Sequence, residues 1–505
     1  MTTPTHRRQR SFLQELARQT MLSQGLQPDF SAPALAELDH LPKPAARSGK
    51  ATHDLRLLPW CSLSPAAAGA LDQLTFAEAM SAGTVRLLIA LADVEAVVKP
   101  ASALDEQAWQ NVTTVDTLAQ IFPLLPPPLA ASATALIPAA DRLAVVVEMV
   151  ITADGALQDA HLYGAMVRNH APLIDAGVGA WLENSGPRPP EIDAVAGLEA
   201  SLRLQDRVAQ NLPAFRHGQG ALSLEISVAR PQFTGETLTD LVAEKPNRAA
   251  QLLEDLLIAA SGVIARYLAA KNAPALRRII RLPRRWDRII QLASEQGFTL
   301  PREPEVKALQ QFLVAAKAAT PLQFADLSLS VLKLLGAGEY SVILPGDSGS
   351  GRFGLAASAY TAGTAPHCRY PDLITQRLLK AALAGGAPPY TVEDLTKLAQ
   401  HCTDQEDAAR KVERQVEKTA GALLLAARGD EQFQAIVTGA SPKGTWVRLR
   451  QPCLEGRLVA GFEGLEVGRR LRVRLVHTDV ALGQIDFQAV TRRSERAAGA
   501  LALPA

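Results

Sequence analysis

The sequence predicts an α+β domain followed by a small closed β-barrel, and three observations carry that reading. Strand-like apolar runs come first, at 85–94 and 143–152. The second leads into Ala153-Asp154-Gly155, which has the residue chemistry of a hairpin turn. From about residue 195 the apolar period lengthens to that of helices, with long amphipathic stretches at 248–271 and 404–428. Strands first and helices later is the order of an α+β domain rather than of alternating βαβ units. From residue 431 to 490 five short alternating strands follow, at 433–437, 445–449, 457–460, 470–476 and 485–490, joined by glycine-containing turns. Strands that short and that closely spaced close into a barrel of the OB type.

With 505 residues, 48% hydrophobic and 20% charged, the chain has material for large cores and divides into about three domains. The formal net charge of +1 selects no class of partner, so a nucleic-acid site would have to be a local patch. Cys61, Cys368, Cys402 and Cys453 stand far apart with no Cys-x-x-Cys pair, which argues against a structural zinc or a disulfide frame. No apolar run is long enough to cross a bilayer, and the first residues are mixed and charged. The expectation is a cytoplasmic protein with no membrane association, no nucleotide cofactor and an oligomeric state left open.

Taken in order, residues 7–40 read as one or two short helices with Phe12, Leu13, Leu16 and Met21 on one face, packing on the core. A Pro- and Ala-rich linker follows at 42–49. The loop at 117–129 is stiffened by prolines. Between 277 and 288 six arginines surround Trp286, a pairing that suits phosphate contact and base stacking, although Ile279, Ile280, Ile289 and Ile290 call for packing there too. The run Gly349-Ser-Gly-Arg-Phe-Gly354 follows a strand-like 340–344. It opens no helix and has no acidic ribose partner downstream, so it reads as a flexible loop rather than a dinucleotide fingerprint. In the barrel, Lys443, Trp446 and Arg448 alternate toward one face; RNA contact and barrel core are both open for the tryptophan.

Residues 352–380 form a turn-rich loop and then a helix, with Leu373, Ile374, Leu378 and Leu379 at helical spacing behind Pro371. A helix N-terminus behind the Thr364-Ala-Pro turn is a natural phosphate seat, with Tyr360 and Arg369 beside it. Phe353-Gly-Leu, Ala359-Tyr360, Thr364-x-Pro366, Arg369-Tyr-Pro-Asp-Leu373 and Arg377-Leu-Leu together resemble the catalytic (RNB) domain of the ribonuclease II and ribonuclease R exonucleases. Gly439-x-x-x-x-Gly444-x-x-Val447-x-Leu449 resembles the ribosomal-protein S1 type of OB barrel that closes those enzymes. The resemblance implies an arm and linker at 1–50, an RNB domain at 51–428, an RNA-binding OB domain at 429–492 and a tail at 493–505. It also implies a 3′-to-5′ exoribonuclease that holds single-stranded RNA and cuts it with Mg²⁺. The N-terminal fifty residues cannot hold the two cold-shock barrels usual in the family, a departure from its pattern.

Two-metal phosphodiester cleavage needs several carboxylates on one loop to hold the ions. By the resemblance, the four aspartate positions of that loop fall on Ser64, Ala70, Asp72 and Gln73, so three of the four are not acidic. A stacking aromatic is replaced by Asp116 and a phosphate-contacting arginine by Cys368. Asp72, as metal ligand, and Tyr360, Arg369 and Glu413 are the remaining catalytic-type candidates. Arg284, Arg285, Trp286, Lys443, Trp446 and Arg448 are the RNA-binding candidates. Three readings follow: an RNB-family protein that binds single-stranded RNA with hydrolysis weak or lost, an active Mg²⁺-dependent exoribonuclease releasing nucleoside 5′-monophosphates, or a protein-interaction scaffold.

Overall fold

The computed structural model describes residues 8–41, 53–65, 71–218, 222, 224–225, 228–244, 247–280, 283, 285–347, 361–441 and 444–490. The expected linker, the Gly349–Gly354 run, the C-terminal tail and the candidates Tyr360, Arg284 and Lys443 lie outside these residues.

Two helices open the chain, α1 (Gln9–Ser23) and α2 (Ala32–Asp39). Leu13, Ala17 and Met21 of α1 are wholly buried, whereas Phe12 and Leu16 are half-buried at the edge of the same stripe. Ser31 starts α2 by accepting the Ala34 N–H.

A seven-stranded sheet follows, built from β1 (His53–Asp54), β2 (Cys61–Ser64), β3 (Gln73–Ala79), β4 (Val85–Ala92), β7 (Asp141–Ile151), β8 (Leu157–Arg168) and β9 (Ala171–Ile174). Helix α3 (Ala103–Asn111) and a two-stranded ladder, β5 (Val115–Asp116) with β6 (Ile121–Phe122), lie between β4 and β7. The order is β1-β8-β7-β4-β3-β2-β9, antiparallel through the middle, with parallel pairs β1/β8 and β2/β9 at the edges. The 153–155 turn joins β7 to β8 as expected. Gly155 there has φ +85°, and a Cβ on it would stand 2.9 Å from the Asn211 backbone.

The helical half holds α4 (Asp175–Leu182), α5 (Leu198–Gly218) and α6 (Arg248–Ala270). Two strand pairs interrupt it: the hairpin β10 (Val228–Thr234)/β11 (Thr237–Glu244), where helical periodicity alone was expected, and β12 (Ala275–Ile279) with β13 (Glu339–Ile343), the latter at the strand-like run 340–344. The second pair closes a long excursion that carries α7 (Trp286–Ser294), α8 (Val306–Ala319) and α9 (Phe324–Leu335). These three helices share a small core of Trp286, Ile289, Phe312 and Phe324.

Helix α10 (Tyr370–Leu383) is the helix expected behind Pro371, and it is buried along most of its length. It tolerates charges because each is paired. Arg377 donates to Asp105 at 2.7 Å, to the Val98 carbonyl at 3.0 Å and to the Tyr390 hydroxyl at 2.8 Å. Helix α11 (Val392–Leu425) starts well before residue 404, where the apolar pattern placed its beginning. The reciprocal capping box of Thr391 and Asp394 sets the true start.

The chain ends in a closed barrel of β14 (Gln432–Ser441), β15 (Gly444–Leu449), β16 (Glu455–Ala460), β17 (Arg470–Asp479) and β18 (Gln484–Ala489), in the order β14-β15-β16-β18-β17. Its core is continuous with the buried faces of α1 and α11. Leu13 and Met21 of α1, Val412 and Val416 of α11, and Phe433, Val447 and Phe487 of the barrel belong to one apolar cluster. Burying that shared surface holds the arm, the long helix and the barrel as one packed body.

Candidate functional site

Two places concentrate the predicted residues. The first is a cleft of about 680 Å³ between the barrel, the three-helix excursion and α11. Strand alternation points Thr445, Val447 and Leu449 of β15 into the barrel and leaves Trp446 on its outer face, half-exposed in the cleft. The indole lies against two glycines, and a Cβ on Gly439 or Gly444 would come within 3.4 Å or 3.3 Å of the ring. Five basic residues, Arg285, Lys333, Arg414, Lys418 and Arg457, line the cleft beside one acid, Glu455. On a chain of net charge +1, that excess is a local anion-attracting patch with an aromatic face inside it. Lys333 pairs with Glu455 across the cleft, and Arg288 reaches Glu466 at 2.9 Å, so the excursion is tied to the barrel by ions.

The candidates divide here. Arg285 and Trp446 line the cleft. Trp286 does not: its ring is 6% exposed in the excursion core and its indole N–H donates to the Pro301 carbonyl at 2.9 Å. The arginine-rich sequence around it suggested a stacking platform, but the apolar face of α7 turned the ring inward. Arg448 is half-buried and turned toward Cys453, 2.9 Å from its sulfur. Neither Lys333 nor Lys418 was singled out from the sequence. Their signal, a lone lysine on a helix face, is indistinguishable from ordinary surface charge.

The second place is the turn before α10. Asp372, wholly buried, accepts the N–H groups of Thr364 and Ala365 at 2.8 Å each and the Arg369 guanidinium at 2.7 Å. The N–H of Tyr370 goes to the Val112 carbonyl at 2.7 Å. At the helix N-terminus anticipated as a phosphate seat, the Tyr370 N–H is therefore taken by a carbonyl of the chain, while the Asp372 carboxylate holds the turn before it.

Asp72 sits beside this turn and is 4% exposed. Its Oδ1 accepts the ring Nδ1–H of His367 in a short contact and the backbone N–H of the same residue at 3.3 Å. His367 Nε2 meets the Thr134 hydroxyl at 2.6 Å. The sequence showed no partner for His367, because Asp72 and Thr134 are 295 and 233 residues away. Next to it, burial and the charge of Asp72 push the Cys368 thiol up to about 12, so it is a protonated, unreactive group.

Glu413 of α11 is half-buried and accepts the Asp116 N–H at 3.1 Å. Desolvation, the largest cause, lifts its carboxyl to about 7; the nearby acids Asp116, Glu406 and Glu417 add to it.

This donor set does not fit a magnesium pair. Mg²⁺ takes hard, charged oxygens. Ser64, Ala70 and Gln73 offer no carboxylate, residues 66–70 are alanine and glycine, and Asp72 already serves His367. Among the described residues no group of three His, Cys, Asp or Glu side chains could hold a metal ion.

The RNB domain family matches residues 52–385, and the RNase II-type exonuclease C-terminal S1 domain matches residues 431–490. Ribonuclease R of Escherichia coli K12 is 28% identical over 490 residues, covering 90% of this chain and 58% of that protein. Exoribonuclease 2 of Escherichia fergusonii is 29% identical over 416 residues, covering 79% and 61%. The chain thus spans about three fifths of the length of these relatives. Among solved structures, Mycoplasma genitalium RNase R in complex with ribose-methylated single-stranded RNA matches with a TM-score of 0.83 at 19% identity, over 95% of this chain and 78% of that one. Yeast Ssd1, described as a pseudonuclease, matches with a TM-score of 0.69 at 13% identity, over 88% and 55%. At these identities the structural likeness bears on the fold.

Proposed function

The chain belongs to the RNB domain family, and on that premise we propose that it binds single-stranded RNA in the cleft beside the barrel and hydrolyses it weakly or not at all. The observation that carries this reading is the contrast between the two places. The cleft keeps five basic groups and an indole on its walls, a surface that suits a phosphate backbone and splayed bases. The loop that should carry the metal-binding carboxylates has one of four, and that one is engaged by an imidazole. Binding can persist on such a surface after the hydrolytic centre has gone, because phosphate contacts and stacking need no metal. Related folds include an RNase R in complex with RNA and a pseudonuclease.

The test is incubation of a 5′-labelled single-stranded RNA with the protein and Mg²⁺ or Mn²⁺, beside an Asp72→Asn variant. Intact RNA in both, with a salt-sensitive gel shift, is expected. A ladder shortening from the 3′ end, lost in the variant, would overturn the reading in favour of a working exoribonuclease held by Asp72 and Mg²⁺. No binding at any salt concentration would favour a scaffold role.

A further inference from the structure

The buried chain Asp72–His367–Thr134 is not used by RNA binding in the cleft, and it needs a reason to exist. All three residues are at most 4% exposed. An ionised carboxylate buried without a partner is strongly unfavourable, so something must compensate Asp72. In a metal-dependent nuclease a divalent cation does this. Here two donors from one residue, the His367 ring and its backbone N–H, converge on Asp72 Oδ1.

We infer that His367 stands in for the metal: its imidazole takes Oδ1 of the one carboxylate left for a divalent cation and supplies the compensating donor in the cation's place. This rests on the reading of the chain as an RNA binder with lost hydrolysis. The chemistry of the ring supports it. A carboxylate can only accept, so Nδ1 carries the hydrogen toward Asp72, and Nε2 is engaged by the Thr134 hydroxyl. Histidine ligates metal through a free nitrogen lone pair; with both ring nitrogens engaged, His367 cannot serve as a ligand without breaking a buried hydrogen bond, and Asp72 Oδ1 is already shared between two donors of that residue.

The chain of bonds also joins three distant segments. Asp72 leads into β3, and its carbonyl accepts the Ala92 N–H at 2.8 Å. Thr134 belongs to the segment before β7, and His367 to the turn that carries Arg369 into α10. His367 is therefore a positioning residue that pins the turn to the start of β3.

The experiment compares thermal unfolding and Mn²⁺ binding, the latter by electron paramagnetic resonance, for the wild type, Asp72→Asn, His367→Leu, the double variant and His367→Asn. Asparagine keeps a donor near Nδ1 and so keeps an assayable fold. Expected are a wild-type melting temperature insensitive to Mn²⁺ and EDTA and no bound Mn²⁺. His367→Leu should melt roughly 3 °C lower or more, with part of that loss recovered in the double variant and in His367→Asn. Additive losses in the double variant, no rescue by asparagine, or Asp72-dependent Mn²⁺ binding by the wild type would each overturn the inference. The same proteins are assayed for RNA shift and hydrolysis. Loss of RNA binding with the Asp72–His367 coupling intact would defeat the functional reading alone, and absent coupling with RNA binding intact would defeat this inference alone.

Discussion

Glu413 accepts the main-chain N–H of Asp116 at 3.1 Å, a bond that ties the long C-terminal helix to the small ladder of the N-terminal half. Burial raises the Glu413 carboxyl from its ordinary 4.5 to about 7. The folded chain then holds a proton between those values that the unfolded chain has lost. The stabilisation is complete below about pH 4.5 and is lost as pH rises through 7. Glu413→Gln, neutral throughout, should raise the melting temperature at pH 8 and leave it nearly unchanged at pH 4. Calorimetric scans at the two pH values check this; equal shifts at both would contradict it.

Trp446 is half-exposed on the outer face of the barrel, so Trp446→Ala should barely change stability. Base–aromatic stacking contributes about 1–3 kcal/mol per base, so the affinity for single-stranded RNA should fall roughly tenfold. Fluorescence anisotropy titration measures the loss.

The basic walls of the cleft should act through phosphate. Arg285→Ala and Lys418→Ala should each flatten the plot of log Kd against log salt by about 0.7, and the pair by about twice that. An unchanged slope would place the RNA elsewhere on the molecule.

Trp286 predicts the opposite phenotype. Its ring fills the core shared by α7, α8 and α9, so Trp286→Ala should cost about 3–5 kcal/mol of stability. The salt slope measured well below the melting temperature should stay that of the wild type. Urea unfolding and RNA titration on one preparation separate the two effects.

The barrel was legible strand by strand because most of its strands pair with a sequence neighbour and alternate inward and outward. The long helices were legible for the same local reason, though the start of α11 was not, since a capping box outranks the apolar pattern at a helix end. β13 was legible as the strand-like run at 340–344, whereas β12 escaped notice because it completes its hydrogen bonds with a strand that lies three helices away in the chain.

By itself the sequence determined the order of domains, the residues of the RNB-type turn and the absence of acids from residues 66–70. These are properties of composition, spacing and local periodicity. Tertiary structure decided what the side chains do. Trp286 and Trp446 both lie near arginines in the chain, yet packing buried the first and left the second beside the cleft. Asp72 and His367 carry no mark of partnership in the sequence, and the fold brings them into contact across 295 residues. The physical reason is that side-chain desolvation and pairing depend on which surfaces meet, and those surfaces come from segments that local pattern cannot relate.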